Sequence, residues 1–184
     1  FKSASAGYIE IEDRLLKNYS NLTILRPTMI YGSSRDQNMY KLIKYIHKSM
    51  FFPVFGNGNN LMSPVHAQDL GDAYYDVFQN RNTTFGKQYN LSGKLDITYI
   101  SILKETASAL KKKVFFIHLP IWFCLVATYL MNFVLRSRSP ISVEQVLRMK
   151  EDKVFSWKDA YADFGFSPMS FKDGIRLEVD EFMK

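Results

Sequence analysis

The sequence is poor in the residues that build disulfides and metal sites. Its 184 residues include one cysteine, Cys124, and three histidines. A single cysteine excludes an internal disulfide framework and a cysteine-rich zinc site, and it favours a reducing, cytoplasmic compartment. The histidines are isolated from one another, and no acidic triplet has the spacing of a calcium loop. We therefore expect no bound metal.

Glycine-rich phosphate motifs are absent as well. The nine glycines form neither a Gly-x-Gly-x-x-Gly pattern nor a P-loop, so the chain lacks the turn that usually cradles nucleotide phosphates. It also lacks a basic-then-apolar signal peptide, and it opens at Phe1 without a methionine. These observations favour a fragment of a longer protein.

The composition is not extreme in any direction. Hydrophobic residues make up 47% and charged residues 23% of the chain, which excludes a disordered protein and a multi-span membrane protein. The net charge is +6, and the basic residues are scattered along the sequence. This balance suits an anionic ligand or a membrane surface. Because the basic residues do not interleave with exposed aromatic ones, we expect no nucleic-acid partner.

Hydrophobic periodicity predicts an alternation of helices and strands. Predicted helices cover 8–18, 38–50, 69–78 and 97–110, and predicted strands cover 22–25, 51–55 and 86–91. Asp69 is expected to cap the third helix, and the glycines at 56 and 58 to form a turn that needs no ligand. The tail from 143 to 183 reads as short helices. This order is typical of an α/β protein.

One apolar segment stands out between 114 and 135. Its 22 residues contain no charged side chain and follow three consecutive lysines, Lys111 to Lys113. The length is enough for a membrane span, but Pro120 and the β-rich residues before it equally predict a strand, a turn and a helix. Three interpretations stay open: a membrane span, an apolar helix on a membrane or partner surface, and burial in the protein's own core.

Four linked motifs resemble a known family. They are Thr-Ile-Leu-Arg-Pro-Thr-Met-Ile-Tyr-Gly at 23–32, Pro-Val-Phe-Gly-Asn-Gly at 53–58, Pro-Val-His-Ala-Gln-Asp-Leu-Gly-Asp-Ala at 64–73 and Tyr-Asn-Leu at 89–91. In this order and approximate spacing they resemble the extended short-chain dehydrogenase/reductase superfamily, in its NAD-dependent epimerase/dehydratase group. The likeness extends to an atypical branch that includes nucleoside-diphosphate-sugar epimerases and the reductase-like accessory subunit of respiratory complex I.

The resemblance implies an α/β fold made of the C-terminal part of a Rossmann-like parallel sheet plus a small α/β substrate domain. Residues 1–35 would be the last helix and strand of the dinucleotide-binding fold. Residues 36–184 would be the substrate-side domain with C-terminal helices. The cofactor, NAD or NADP, would be bound mainly by sequence outside this chain. We expect the isolated chain to be inactive and to self-associate through its uncovered surfaces.

The family's catalytic Tyr-x-x-x-Lys pair has no clear counterpart. If Glu12 is the acid that commonly follows the lysine by four residues, Tyr8 stands in the lysine position and Ala4 in the tyrosine position. Without the lysine, nothing lowers the pKa of a catalytic tyrosine toward neutrality. A shifted register that uses Lys2 stays open. The catalytic residues are therefore unassigned.

Two further positions depart from the family pattern. Met29 stands where an asparagine usually binds the nucleotide sugar, and Met62 stands where an arginine usually neutralises the diphosphate. A thioether replaces neither group. Ser63 likewise takes the place of the following acid. Our substrate-binding candidates are Met29, Met62 and Arg35, which lies in the loop after Gly32.

The turn after the Arg26–Pro27 pair would pass beside the nicotinamide. From this resemblance we expect Pro27, Thr28 and Ile30 to lie at the edge of the cofactor, and we call them the cofactor-edge candidates. The alternative is that Arg26 forms a structural ion pair and the others pack, while Arg35 is solvated. We expect His66 to satisfy local backbone hydrogen bonds and not to act as a base.

The resemblance implies an NAD(P)-dependent, nucleoside-diphosphate-sugar epimerase/dehydratase-like oxidoreductase. Its substrate would be a nucleotide-linked sugar or a similar anionic small molecule. The alternative is a non-catalytic NAD(P)-binding scaffold or assembly protein, associated with a membrane complex through 114–135. In either case we expect a cytoplasmic protein, with the inner membrane face as the surface it would contact.

Overall fold

A computed structural model describes residues 2–36, 38–120, 122–123 and 151–184. The greater part of the apolar segment, from 124 onward and including Cys124, lies outside the described residues. The first part of the segment, Phe115–Leu119, is a strand, so the predicted strand is confirmed and a helical membrane span of all 22 residues is wrong. The surface helix and burial in the core stay predictions. Within the described part, no helix is long and apolar enough to cross a membrane.

Helices and strands alternate through the first two thirds of the described chain. The helices are α1 Lys2–Asn18, α2 Met39–Lys48, α3 Ala67–Gln79, α4 Arg81–Thr84, α5 Tyr99–Ala109, α6 Lys158–Phe164 and α7 Phe171–Phe182. The strands are β1 Ile24–Pro27, β2 Ile30–Tyr31, β3 Phe51–Phe55, β4 Leu61–Met62, β5 Val65–His66, β6 Gln88–Leu91, β7 Ile97–Thr98 and β8 Phe115–Leu119. The predicted α/β class is confirmed.

The strands form four two-stranded pairs within the described residues. Strands β1 and β6 are parallel, as are β2 and β5, and β3 and β8. Strands β4 and β7 are antiparallel. Parallel pairing requires long crossover connections, and these connections contain helices, for example α2 between β2 and β5. The proposed division into domains at residue 35 stays a prediction.

Three groups of buried side chains form the core. One joins α3, β6 and α6, and a second joins Tyr31, α2, α5 and α7. The third lies beneath the β3–β8 pair, where Val54 packs with residues of α2 and α5. In α2 the buried residues Met39, Ile43 and Ile46 recur at helical spacing, so one face is covered and the other is exposed.

Two local details differ from or extend the sequence prediction. His66, not Asp69, caps α3: its Nδ1 accepts a hydrogen bond from the Gln68 backbone N–H at 3.2 Å. Asp69 instead accepts from the Met169 backbone N–H at 3.1 Å, which ties α3 to the segment before α7. The predicted turn after β3 is present, with both of its glycines in the left-handed conformation.

Candidate functional site

A cleft of about 540 Å³ lies among α2, β3, β4 and α5. Its lining is mostly apolar, and the residues with polar groups are two asparagines, two lysines and two tyrosines. The residues are Met29, Asn38, Met39, Lys41, Leu42, Tyr45, Phe52, Pro53, Phe55, Asn60, Met62, Tyr99, Ile102 and Lys153. A concave, largely apolar cavity with a few polar groups is the usual form of a small-molecule site.

Helix α2 forms one wall of the cleft, and hydrogen bonds to Asp36 hold its N-terminal end in place. The Asp36 carboxylate accepts hydrogen bonds from the backbone N–H groups of Asn38, at 2.8 Å, and Met39, at 2.5 Å. An anionic acceptor at this end satisfies free N–H groups and complements the helix dipole. The first turns of α2 then present Asn38 and Lys41 to the cleft.

Met29 and Met62 both line this cleft although 33 positions separate them in the sequence. The Met29 carbonyl accepts from the Val65 backbone N–H at 3.0 Å, which joins the β1–β2 connection to β5. Met62 pairs with Ile97 in the antiparallel β4–β7 ladder and forms an isolated bridge with Lys153 on its other side. The structure thus brings two of the three predicted substrate-binding residues together.

Arg35, the third candidate, is exposed in the loop before α2 and is not among the residues that line the cleft. Nothing in its surroundings distinguishes it from a solvated loop arginine. Its assignment to substrate binding stays a prediction.

The cofactor-edge candidates lie beside the cleft and do not line it. Pro27 pairs with Leu91 at the end of the β1–β6 ladder. Thr28 is held by two hydrogen bonds, from its backbone N–H to the Leu91 carbonyl at 3.1 Å and from its hydroxyl to the Ser63 carbonyl. Ile30 is 43% exposed. Ile30 is therefore the candidate with the most surface free for a ligand.

Ser63, which takes the place of an acid in the resembled family, has a structural role here. It is fully buried, and its hydroxyl hydrogen-bonds the carboxylate of Asp96. Its carbonyl accepts from Thr28 and from the Gly93 backbone N–H, the latter at 3.1 Å. At Gly93 a Cβ would lie 2.0 Å from the carbonyl oxygen of Pro64, so only glycine fits this approach.

Arg26 forms the structural ion pair that was the alternative to a cofactor role. Its Nε donates to Glu12 Oε2 at 2.8 Å, and its guanidinium also donates to Gln88 Oε1 at 2.6 Å. This contact fixes α1 against the β1–β6 pair. Tyr8, one helical turn before Glu12, is 72% exposed, so most of its side chain is accessible.

Sequence reasoning missed a buried carboxyl at Glu178 in α7. It is 2% exposed, and its Oε2 accepts from the Gly32 backbone N–H at 3.2 Å. Its Oε1 has no hydrogen-bond partner in the described part of the chain. Burial, with the nearby charge of Asp36, raises the pKa of Glu178 to about 7. The signal that could have found it is helical spacing, which places Glu178 on the same face of α7 as Phe171, Ile175 and Val179.

Tyr31 and His66 lie in the same buried region. Their rings meet edge to face at 5.2 Å between centroids, and the His66 ring is so close to Gly32 that a Cβ there would lie 2.2 Å from Nε2. Burial lowers the pKa of His66, so its imidazole is neutral near pH 7. The expected local role of His66 agrees with its bond to Gln68. Neither ring lines the cleft.

The comparisons with known proteins agree on the family. The sequence profile of the NAD dependent epimerase/dehydratase family matches residues 9–92. A curated relative from Escherichia coli O157:H7, N-acetyl-alpha-D-glucosaminyl-diphospho-ditrans,octacis-undecaprenol 4-epimerase, is 32% identical over 101 residues, which are 54% of this chain and 30% of the relative.

Two solved structures share the fold. One is UDP-glucuronic acid 4-epimerase from Bacillus cereus, in complex with UDP-glucuronic acid and NAD: TM-score 0.64, 18% identity, covering 89% of this chain and 45% of that one. The other is RMD from Pseudomonas aeruginosa, complexed with NADPH: TM-score 0.62, 12% identity, covering 88% and 48%. The chain thus spans about a third of the curated relative and about half of these structures. The Rossmann-like fold prediction is confirmed, whereas the complex I branch stays a prediction.

Proposed function

We propose that residues 9–92, which belong to the NAD dependent epimerase/dehydratase family, form part of an NAD(P)-dependent enzyme that acts on a diphosphate-linked sugar. The observation that carries this proposal is the cleft where Met29 and Met62, at the family's two substrate positions, line one cavity with Lys41 and Lys153. The Escherichia coli relative and the Bacillus cereus epimerase are both named for a sugar attached to a diphosphate.

Within this enzyme, the residues of this chain would bind the substrate. The ammonium groups of Lys41 and Lys153 would offset the diphosphate charge, and the side-chain amides of Asn38 and Asn60 would hydrogen-bond hydroxyl groups. When bound, NAD(P) would supply reversible hydride transfer at a sugar carbon. Since no glycine-rich phosphate turn occurs in this sequence, we propose that the cofactor is held mainly by residues outside it.

Two carriers for the diphosphate are compatible with this role. A nucleoside is the carrier that the sequence resemblance implies. A polyprenyl chain is the second candidate, because thioether, aliphatic and aromatic groups dominate the cleft and the Escherichia coli relative is named for an undecaprenol-linked substrate. The loss of the family's asparagine and arginine weakens nucleotide binding and leaves apolar contacts intact.

The test is turnover by the full-length protein that contains this chain. Native mass spectrometry first determines whether NAD or NADP is bound. The protein is then given a UDP-N-acetylhexosamine or its undecaprenyl-diphosphate counterpart, and epimer formation is followed by chromatography of the released sugar. Conversion of either substrate supports the proposal and identifies the carrier. Bound cofactor without conversion of any diphosphate sugar would refute the catalytic function.

A non-catalytic role is the rival proposal, and it is supported by the exposed Tyr8, which stands at the family's lysine position if Glu12 is the acid that follows that lysine. In that case the protein would keep NAD(P) as a structural ligand and act as a cytoplasmic assembly factor. It would reach a complex at the inner membrane face through 114–135. Cofactor retained after membrane fractionation, together with the absence of turnover, would favour this role.

A further inference from the structure

The parallel β3–β8 pair presents aromatic side chains to solvent at its N-terminal edge. Phe51 and Phe115 are register partners, 55% and 60% exposed, with ring centroids 5.7 Å apart in a stacked arrangement. Met50 and Ile117 beside them are 62% and 48% exposed. On the next register pair the side chains of Phe52 and Phe116 pack against the core. The outward apolar face is therefore separate from the core face of the same strands.

Lysines lie next to this apolar face because both strands start just after basic residues. Lys48 ends α2 three positions before Phe51, and Lys111 to Lys113 precede β8. The parallel register places these two basic segments side by side. The Lys112 ammonium confirms their proximity by donating to the His47 carbonyl at 2.6 Å. We refer to the following set as the basic-aromatic edge: Lys48, Met50, Phe51, Lys111, Lys112, Lys113, Phe115 and Ile117.

Acidic residues are missing from both stretches that build this edge. No aspartate or glutamate occurs in 37–68 or in 106–143. Residues 37–68 and 106–123 together contain six lysines and no arginine, and these six account for the whole net charge of +6. Lys41 and Lys44 continue the basic series along α2 at helical spacing from Lys48. The remaining sequence is balanced, so the positive charge is concentrated on one part of the fold.

We propose that the basic-aromatic edge docks the protein on an anionic lipid bilayer. Lysines attract anionic headgroups, while aromatic rings and aliphatic side chains beside them enter the interfacial layer. Two further exposed aromatic residues, Trp122 and Phe123, follow the C-terminal end of β8. The chain then runs into an uncharged sequence up to residue 135. This combination fits a lipid surface better than a nucleic acid, since the edge has no arginine and its apolar part is half aliphatic.

Vesicle sedimentation with the full-length protein tests this proposal. The probes are vesicles of phosphatidylcholine alone and of phosphatidylcholine with 30% phosphatidylglycerol, in 0.1 M and 0.5 M NaCl. We expect binding to the anionic vesicles that falls at least tenfold in high salt. Equal binding to neutral vesicles, or no binding to anionic ones, would overturn the proposal.

Two substitution sets identify the surface. K48Q/K111Q/K113Q leaves the bonded Lys112 intact and should weaken vesicle binding about 100-fold, since each lysine near an anionic surface contributes about fivefold. F51S/F115S should weaken it at least tenfold.

The matched controls lie elsewhere on the surface: K94Q/K158Q/K172Q removes the same charge, and Y74S/F78S removes two exposed aromatic residues of α3. If either control set lowers binding as much as the edge variants, the assigned surface is wrong. A single-stranded RNA 20-mer that binds more tightly than the vesicles and displaces them would also overturn the lipid assignment.

Discussion

The buried carboxyl of Glu178 makes a quantitative prediction about stability and pH. Its folded pKa is raised to about 7 from an ordinary value of 4.5. Between these two values the unfolded chain has lost the proton and the folded chain has kept it. The contribution of Glu178 to the free energy of unfolding is therefore fully present below pH 4.5 and is lost as the pH rises through 7. A shift of this size corresponds to about 3 kcal/mol in the free energy of unfolding.

The substitution Glu178→Gln isolates this effect. Glutamine keeps an oxygen that can accept from the Gly32 backbone N–H but cannot ionise. We expect the variant and the wild type to have similar stability at pH 4.5. At pH 8 the variant should be more stable by about 3 kcal/mol, and its melting temperature higher by roughly 6–12 °C.

The assay is urea unfolding of the full-length protein, followed by circular dichroism from pH 4.5 to 8.5. Glu10→Gln is the matched control, because Glu10 is exposed on α1. Its stability should follow that of the wild type at every pH. If the Glu178→Gln and wild-type curves also stay parallel across this range, the carboxyl ionises normally and the reasoning from burial is wrong.

Three further substitutions test the site and its support. Gly93→Ala should destabilise the protein by more than about 2 kcal/mol in urea unfolding, because the new Cβ would meet the Pro64 carbonyl oxygen at 2.0 Å. Met62→Arg should tighten UDP binding about tenfold or more in titration calorimetry, because a guanidinium restores charge-assisted contacts to the diphosphate. Arg26→Gln should cost about 1 kcal/mol, since it breaks the partly exposed ion pair to Glu12.

Each of these has a control. Gly71→Ala lies in α3 with nothing within 4 Å of the added Cβ, and it should stabilise the helix by up to about 1 kcal/mol. Met62→Leu should leave UDP binding unchanged, and Arg14→Gln on the exposed side of α1 should leave stability unchanged. A Gly93→Ala variant as stable as the wild type, or unchanged UDP affinity in Met62→Arg, would contradict the corresponding argument.

Local sequence patterns determined most of the secondary structure. The strand predicted at 51–55 is β3, and the helix predicted at 97–110 contains α5 at Tyr99–Ala109. The turn after β3 was predictable because its glycines can adopt positive φ. Alternation and helical spacing are properties of neighbouring residues, so they are visible in the sequence. The family motifs in 23–91 are likewise local, and the family profile matches the same region.

The cap of α3 shows where local patterns fail. Asp69 has the right chemistry for a cap, but it accepts from Met169, 100 positions away, and His66 takes the capping position. The same holds for the cleft, where Lys153 reaches Met62 across 91 positions. These contacts depend on strand register and on how helices pack, which periodicity does not encode.

The tertiary structure alone decided how charge and burial are distributed. In the sequence the lysines are scattered and do not interleave with aromatic residues, whereas the parallel β3–β8 register brings Lys48 and Lys111 to Lys113 around one aromatic pair. Glu178 becomes buried with Ile175 and Val179 on the packed face of α7, where its carboxylate accepts from the Gly32 backbone N–H. The sequence by itself determined which elements form, and its motifs are those that the family profile matches at 9–92. Long-range packing decided which side chains share a surface, because the contacts that bring them together join residues far apart in the chain.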